Sequence, residues 1–237
     1  MAEGNSLTKQ KRNQDRRTGE AIEEESSLWR YEQTLVPNVE NGMYAGVDEV
    51  GRGALAGPVY AAAVILDGAS GGWFGVNDSK QLSRKKRETW YHYIHKNAIA
   101  VGVGIATVEE IDAMNILHAS RLAMGRAIEN LGIRVEFVLV DGIYMPLYEK
   151  SEPRQGSTVI DGDAKCLSIA AASIIAKVER DRYMTELSSL FPQYGFESHV
   201  GYATSLHLEK LKAFGPSACH RRSFAPVKNF QQLRLDI

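Results

Sequence analysis

The strongest constraint on the fold is a short apolar run, Val135–Val140, that is followed directly by Asp141. Apart from Glu136, its side chains are apolar and mostly β-branched or aromatic, which is typical of a strand buried on both faces. Such a strand needs a layer of structure on each side of its sheet. Together with the strands and helices predicted below, this run indicates an α/β layered domain.

Further elements are predicted from periodicity and turn residues. The predicted strands are Tyr44–Val50, Pro58–Leu66, Ile99–Ala106 and a shorter one at Thr158–Ile160, and the predicted helices are Ile111–Leu131 and Lys165–Leu190. The first of these helices is indicated by apolar residues at helical spacing, and alanines in the second would allow close packing. Residues from Gly201 onward are predicted to form a smaller, mostly helical appendage.

The first 42 residues differ in composition from the rest of the chain. They mix basic side chains with the acidic run Glu23–Glu25 and contain few apolar residues. This composition predicts a mobile N-terminal extension over residues 1–42, with a basic arm touching nucleic acid as the alternative. The remainder is predicted to divide into a catalytic domain over residues 43–195 and a C-terminal helical appendage over residues 196–237.

Charge, cysteine content and hydropathy narrow the class of protein. The net charge of −1 over 237 residues provides no overall basic field, so a nucleic acid would have to bind a local surface. Cys166 and Cys219 are too few for a disulfide framework and fit a reducing compartment. Neither an apolar run of membrane-spanning length nor a signal peptide is recognisable, so we expect a cytoplasmic protein without membrane association.

Four carboxylates lie where a predicted strand ends or a helix begins: Asp48, Glu49, Asp141 and Asp163. Side chains at such positions can converge from distant parts of the chain. Converged carboxylates repel one another unless a cation or a proton intervenes, and hard oxygen ligands select Mg²⁺ or Mn²⁺. Two such ions about 3.5–4 Å apart can activate water and stabilise the leaving oxygen in phosphodiester cleavage. The pattern favours a two-ion nuclease site.

Each acid also has a purely structural interpretation. Asp163 fits a helix N-cap, and Asp141 followed by Gly142 fits a turn. Asp48 and Glu49 are neighbours, and neighbours on a regular strand face opposite sides. Both could serve one site only if the strand curls, or if one of them acts through its carbonyl.

Six blocks of sequence around these acids resemble the ribonuclease HII family. In family order they are GVDEVGRGALAGPV at Gly46–Val59, the DSK-x-L segment formed by Asp78, Ser79, Lys80 and Leu82, then FVLVDG, DGDAKCLSIAAASIIAKVERDRYM, FPQYGFESHVGYATSLHLEKL and GPSACHRRSF. The resemblance extends from about Tyr44 to Phe224, and six ordered blocks make it specific.

The resemblance implies a ribonuclease H-like fold, which is a mixed sheet flanked by helices with a small C-terminal helical appendage. It implies a metal-dependent endoribonuclease that cuts RNA in RNA–DNA hybrids and nicks duplex DNA 5′ to a single ribonucleotide. Metal-activated water would attack in line and leave a 3′-hydroxyl and a 5′-phosphate. The family's motif positions assign the Mg²⁺ or Mn²⁺ ligands to Asp48, Glu49, Asp141 and Asp163. A monomer is expected, and a sliding-clamp partner is left open.

Selecting a ribonucleotide requires contact with its 2′-hydroxyl. The resemblance implies that the backbone of Gly51, Arg52 and Gly53 makes this contact and that Tyr202 stacks on the following deoxyribose. A hairpin turn and a core aromatic residue are the structural alternatives. The candidate phosphate contacts are Lys80, Lys177, Arg180, Arg182, Arg221 and Arg222, although each taken singly is more often a solvated charge. His199 and His220 are expected to be structural.

Two positions depart from the family pattern. Asp161 and Val200 stand where the family usually has lysine, so positive charge near the substrate backbone is lost and weaker hybrid binding is expected. One alternative is a ribonuclease HIII-type enzyme with little action on single ribonucleotides, which the triplet Gly51-Arg52-Gly53 disfavours. The other is a hybrid-binding protein without nuclease activity, which four intact acids disfavour.

Overall fold

A computed structural model describes residues 28–37, 43–67, 72–73, 76, 79–80 and 82–235. Within them, five strands form one sheet in the order β3-β2-β1-β4-β5. The strands are β1 (Tyr44–Val50), β2 (Val59–Ile65), β3 (Ala100–Ala106), β4 (Phe137–Asp141) and β5 (Gln155–Val159). The β1–β2 and β2–β3 pairs are antiparallel, whereas β1–β4 and β4–β5 are parallel. This mixed sheet confirms the predicted fold class.

Helices cover both faces of the sheet and form the appendage. They are α1 (residues 28–35), α2 (Arg84–Asn97), α3 (Val108–Met114), α4 (Ile116–Glu129), α5 (Leu167–Leu190), α6 (Phe196–His199), α7 (Ser205–Phe214) and α8 (Ala225–Leu235), with a 3₁₀ turn at Gly162–Ala164. Strand β2 alternates between two cores, with Ala61 and Ala63 packed against α4 and Ala62 and Val64 against α5. No described helix is long and apolar enough to cross a membrane.

Helix α5 lies directly against β1 because Gly46 has no side chain. A Cβ atom there would lie 2.2 Å from the backbone carbon of Ser168, a distance that no side chain tolerates. This close approach brings the start of α5 beside the end of β1. It therefore helps to set where the four acids lie.

Two helices differ from the sequence-based prediction. The single helix predicted over Ile111–Leu131 is wrong, because the chain breaks at Asn115, whose φ of 69° lies in the left-handed region. The Asn115 side chain accepts hydrogen bonds from the backbone of Leu117 and His118 and so caps α4. Helix α2 was not predicted, although Ser83 caps its first turn by accepting from the backbone of Lys86.

Residues 28–37 do not behave as the mobile extension expected over residues 1–42. Trp29, Leu35 and Val36 pack against the apolar cluster around β4, and Glu32 is fully buried. The expectation was wrong for this stretch because these apolar side chains are spaced to cover one edge of the domain. Residues 1–27 and 38–42 lie outside the described part of the chain.

The appendage shares its core with the end of α5. Met184 and Leu187 of α5 pack with Tyr194, Phe196 and residues of α7 and α8. The same cluster includes Leu55 and Ala56 from the loop between β1 and β2. The appendage is thereby held against that loop. The domain boundary at residues 195–196 stays a prediction.

Candidate active site

The four predicted acids lie at one edge of the sheet. Asp48 and Glu49 come near the end of β1, and Asp141 ends the neighbouring parallel strand β4, where Val47 is level with Val140. Asp163 lies in the 3₁₀ turn that follows β5. The carboxyl ends of three adjacent strands therefore supply all four carboxylates.

Asp141 and the turn that carries Asp163 are joined directly. The backbone N–H of Gly162 donates to the Asp141 carboxylate at 2.7 Å. Helix α5 begins only after Cys166, which is its N-cap and makes no side-chain capping bond, so the N-cap interpretation of Asp163 is wrong. Asp163 instead pairs with the ammonium group of Lys80 at 2.8 Å.

Asp48 is buried, as is Asp163. Burial is the main cause that raises the pKa of Asp48 well above the usual value, and the charges of Glu49 and Asp141 raise it further. The hydroxyl of Ser173 on α5 hydrogen-bonds to Asp48 and opposes this effect. Ser173 also lies 2.9 Å from the hydroxyl of Ser79, so two serines from separate segments support this carboxylate. Ser173 was not predicted, since a serine in an apolar helix is a common and uninformative feature.

Glu49 is held by its neighbour in the loop. Its carboxylate accepts from the Arg52 guanidinium at 3.0 Å, and its backbone N–H donates to Asp48 at 2.7 Å. Burial raises the pKa of Glu49 to about 7, with the charge of Arg52 opposing that rise. The proximity of Asp48, Glu49 and Asp141 is therefore electrostatically unfavourable without a cation.

The carboxylate oxygens of the site are suitable ligands for a divalent cation, although the side chains are not arranged in a complete coordination geometry. Among the described residues, no three acidic, histidine or cysteine side chains are arranged as a ready metal site. Burial nevertheless raises the pKa of Asp48 and of Asp141, and the charges of neighbouring carboxylates raise both further. Clustered carboxylate oxygens are the ligands that Mg²⁺ and Mn²⁺ select. A bound cation would relieve the repulsion.

The two candidate lysines have different surroundings. The Lys80 side chain is 78% exposed and contacts Asp163, so it lies at the mouth of the acidic cluster. Lys177 lies on α5 one turn beyond Ser173 and pairs with Asp181 at 2.8 Å. Asp78 of the same DSK-x-L segment lies outside the described residues.

The Gly51–Gly53 loop follows the acids and faces Tyr202. Gly51 has a φ of 94°, so the chain turns sharply after β1. A Cβ atom placed on Gly53 would lie 3.9 Å from the Tyr202 ring, and both Arg52 and Gly53 are exposed. Tyr202 is half-buried and belongs to the turn after α6. The structure thus brings the loop and the tyrosine together beside the carboxylates.

Two predicted phosphate contacts are wrong. Arg180 and Arg221 are fully buried, and their guanidinium groups bind backbone carbonyls inside the protein. Their burial was hidden from the sequence, since arginine is rarely buried. Arg182 pairs with Glu88 at 2.7 Å, while the Arg222 side chain is exposed.

Three buried histidines lie together beside Tyr202, where His199 stacks on His207 and His207 hydrogen-bonds to His220. His199 accepts from the backbone of Gly201 and faces the carbonyl of Tyr194. His207 lies 2.9 Å from the Tyr202 carbonyl and 3.0 Å from His220. The structural role predicted for His199 and His220 agrees with this arrangement. His207 was not predicted, because in the sequence it resembles any polar residue of an amphipathic helix.

Comparison with known proteins identifies what the chain resembles. The family model described as ribonuclease HII matches residues 45–227. The chain is 52% identical over 186 residues to ribonuclease HII of Marinomonas sp. (strain MWYL1), covering 78% of this chain and 92% of that protein.

Solved structures agree with this assignment. Ribonuclease H2 from Pyrococcus horikoshii OT3 has a TM-score of 0.66 and 26% identity, covering 82% of this chain and 100% of that one. The ribonuclease HII of the Archaeoglobus fulgidus complex with PCNA has a TM-score of 0.63 and 29% identity, covering 77% and 95%.

Proposed function

The chain belongs to the ribonuclease HII family of metal-dependent endoribonucleases, and we propose that it hydrolyses RNA in RNA–DNA hybrids and nicks duplex DNA 5′ to single ribonucleotides. The observation that carries the proposal is the position of the Gly51–Gly53 loop and Tyr202 directly beside a cluster of four carboxylates. A site that both selects a ribose and cleaves its phosphodiester needs both parts next to each other.

Asp48, Glu49, Asp141 and Asp163 would hold two divalent ions, Mg²⁺ or Mn²⁺. Bound ions of this type supply a water of lowered pKa and stabilise the leaving oxygen. Gly162 and Ser173 orient the Asp141 and Asp48 carboxylates, respectively. Cleavage of this kind would leave a 3′-hydroxyl and a 5′-phosphate.

Recognition is assigned to the backbone of Gly51, Arg52 and Gly53, of which Arg52 and Gly53 are exposed, and this backbone would contact the 2′-hydroxyl of the ribonucleotide. Glycine allows the substrate to approach the backbone closely. Tyr202 would stack on the following deoxyribose, and Lys80 and Lys177 would face phosphates. The partial exposure of Tyr202 and the large exposure of Lys80 support these roles.

We propose that the enzyme acts as a monomer in the cytoplasm, which fits the free thiols of Cys166 and Cys219. A sliding clamp is a further partner to test, because the related Archaeoglobus fulgidus protein was solved in complex with PCNA. Sedimentation of the chain alone and with a clamp would test both statements. Self-association of the chain would contradict the proposal that it is a monomer. Absence of association with the clamp would contradict the proposed clamp partner.

The deciding experiment compares three duplexes in the same buffer: DNA with one ribonucleotide, an all-RNA strand paired with DNA, and all-DNA. We expect metal-dependent nicking 5′ to the ribonucleotide in the first, cleavage of the second, and none of the third. Cleavage of the hybrid alone would indicate a ribonuclease HIII-type activity. Binding without product, with or without metal, would indicate a hybrid-binding protein and overturn the proposal.

A further inference from the structure

Two buried arginines hold the loop between β1 and β2, which comprises residues 51–58 and includes Gly51–Gly53. Arg180 lies on α5 and Arg221 lies in the appendage between α7 and α8, and both side chains are fully buried. No carboxylate lies within ion-pairing distance of either guanidinium among the described residues. Buried charges normally have such a partner, because desolvation is costly. These two arginines therefore need another explanation.

Arg221 binds three carbonyls of the loop. Its guanidinium donates to the backbone oxygens of Gly51 at 2.7 Å, Arg52 at 2.8 Å and Gly57 at 2.9 Å. The planar fork of an arginine can satisfy several acceptors in fixed directions, which a single ammonium cannot do. A residue of the appendage thus fixes the path of the loop.

Arg180 makes the reciprocal connection. It donates to the carbonyls of Ala56 at 3.1 Å and Pro58 at 3.0 Å in the loop, and to the carbonyl of Val200 at 2.9 Å in the appendage. Its guanidinium carbon also lies 5.6 Å from the centre of the Tyr202 ring. One side chain of α5 therefore contacts both the loop and the segment that carries Tyr202.

The loop and the appendage are also joined through their backbones. The N–H of Leu55 donates to the carbonyl of Gly201, and the N–H of Gly57 donates to the carbonyl of Cys219, each at 2.8 Å. A Cβ atom on Gly51 would lie 2.1 Å from the Arg180 guanidinium nitrogen Nε. Glycine at this position is therefore required by the arginine as well as by the turn.

We propose that Arg180 and Arg221 are positioning residues that set the distance between the Gly51–Gly53 loop and Tyr202, and thereby the ability to select a single ribonucleotide. The inference rests on the proposed function. A single ribonucleotide offers one productive register, in which the 2′-hydroxyl meets the loop while the next sugar meets Tyr202. An all-RNA strand offers a 2′-hydroxyl in every register. A loosened loop should therefore lower cleavage at a single ribonucleotide more than it lowers cleavage of an all-RNA strand.

The test replaces each arginine with lysine, as Arg180→Lys and Arg221→Lys, and measures kcat/KM on both substrates. We expect the preference for the single ribonucleotide to fall about tenfold, which corresponds to about 1.4 kcal/mol of differential transition-state binding. Arg126→Lys is the matched control, since the Arg126 guanidinium binds Glu110, Glu149 and the carbonyl of Ile105 rather than the loop or the appendage. An unchanged preference in both folded variants would overturn the inference.

A double-mutant cycle separates positioning from a general loss of structure. In a Tyr202→Ala background, Arg221→Lys should no longer change the substrate preference, because the residue through which it acts is gone. A merely structural role would lower both activities by the same factor in either background. Equal effects in the two backgrounds would therefore contradict the proposal.

Hydrogen exchange of the wild-type protein keeps the inference testable if the lysine variants do not fold. The amides of Leu55 and Gly57 should exchange as slowly as the interior of α5, since both donate to appendage carbonyls. Fast exchange at these amides would show that the loop is not clamped. Absence of cleavage of either substrate by the wild type would instead refute the proposed function, without bearing on this measurement.

Discussion

The Glu32 carboxylate accepts a hydrogen bond from the backbone N–H of Ser168 at 2.9 Å. This contact joins α1 to the first turn of α5, where the N-cap residue Cys166 provides no side-chain cap. Burial raises the pKa of Glu32, and hydrogen bonds from Ser168 and Tyr44 oppose this rise. A residue of the N-terminal segment therefore completes the helix that follows Asp163.

Glu32→Ala is expected to destabilise the protein by about 1–3 kcal/mol, because it leaves a buried backbone N–H without an acceptor. Glu32→Gln retains an acceptor oxygen and should cost less. Chemical denaturation of the two variants and the wild type measures these differences in the free energy of unfolding. A Glu32→Ala variant as stable as the wild type would show that the hydrogen bond between Glu32 and Ser168 contributes nothing to the stability of the domain.

Asp48→Asn should lower cleavage by more than about a hundredfold, since even partners of metal ligands contribute that much. Without divalent metal, its melting temperature should rise, by about 2–4 °C for each kcal/mol of repulsion removed. Mg²⁺ or Mn²⁺ should stabilise the wild type and not the variant. Asp141→Asn and Asp163→Asn are expected to lose cleavage as well.

Glu209→Gln, at an exposed acid of α7, is the control for these three variants and should change neither cleavage nor the effect of metal. Thermal melting with and without metal, together with a cleavage assay, provides the measurement. A wild-type rate from any of the three aspartate variants would remove that aspartate from the catalytic set.

Tyr202→Ala should reduce nicking at a single ribonucleotide more than cleavage of an all-RNA hybrid. Stacking of a base on an aromatic ring contributes about 1–3 kcal/mol, and stacking on a sugar should lie near the lower end. Tyr202→Phe keeps the ring and is the matched control. Equal losses on both substrates in Tyr202→Ala would mean that the ring only packs against Arg180.

Val200→Lys should tighten hybrid binding and steepen the dependence of log affinity on log salt by about 0.9, the effect of one added phosphate contact on duplex DNA. Val200 has a φ of 45°, which is unfavourable for a β-branched side chain, and it packs partly against the appendage core.

Val200→Met removes the branch without adding charge, so it separates backbone strain from electrostatics. Binding titrations at three salt concentrations measure the slope, and a slope equal to that of Val200→Met would place position 200 away from phosphates.

Acid should destabilise the appendage through His207 and His220. Burial lowers the pKa of His207 to about 4 and that of His220 to about 3, from an ordinary value of 6.5. Below pH 6.5 the two histidines bind more protons in the unfolded chain than in the folded protein. The stability contributed by the neutral histidines is therefore fully present above pH 6.5 and is lost as the pH falls toward 4 and 3. Each proton taken up contributes a slope of about 1.4 kcal/mol per pH unit.

The measurement is the unfolding free energy between pH 7 and 4. His220→Gln should reduce the slope, whereas His92→Gln, at an exposed position on α2, should leave it unchanged. A slope that His220→Gln does not alter would contradict the assignment of acid sensitivity to this pair.

The sequence by itself predicted the mixed sheet, the long helix α5 and the placement of four acids at the ends of strands. Strands such as β4 and β2 are apolar on both faces, and that pattern has one physical solution, a strand between two layers. Asp48 and Asp141 are recognisable because a charge at the end of a buried strand is costly without a partner. These features depend on residues that are close together in the chain.

Only the tertiary structure decided the roles of the buried polar groups. Arg180 and Arg221 look like phosphate contacts in the sequence, but their acceptors lie 122 and 164 residues away, at Pro58 and Gly57. Glu32 looks like part of a solvated segment, although its partner Ser168 lies 136 residues away. The free energy of burying a polar side chain depends on whether folding brings a hydrogen-bond partner into contact with it. Such a partner can be distant in the sequence, so no local sequence pattern predicts the contact.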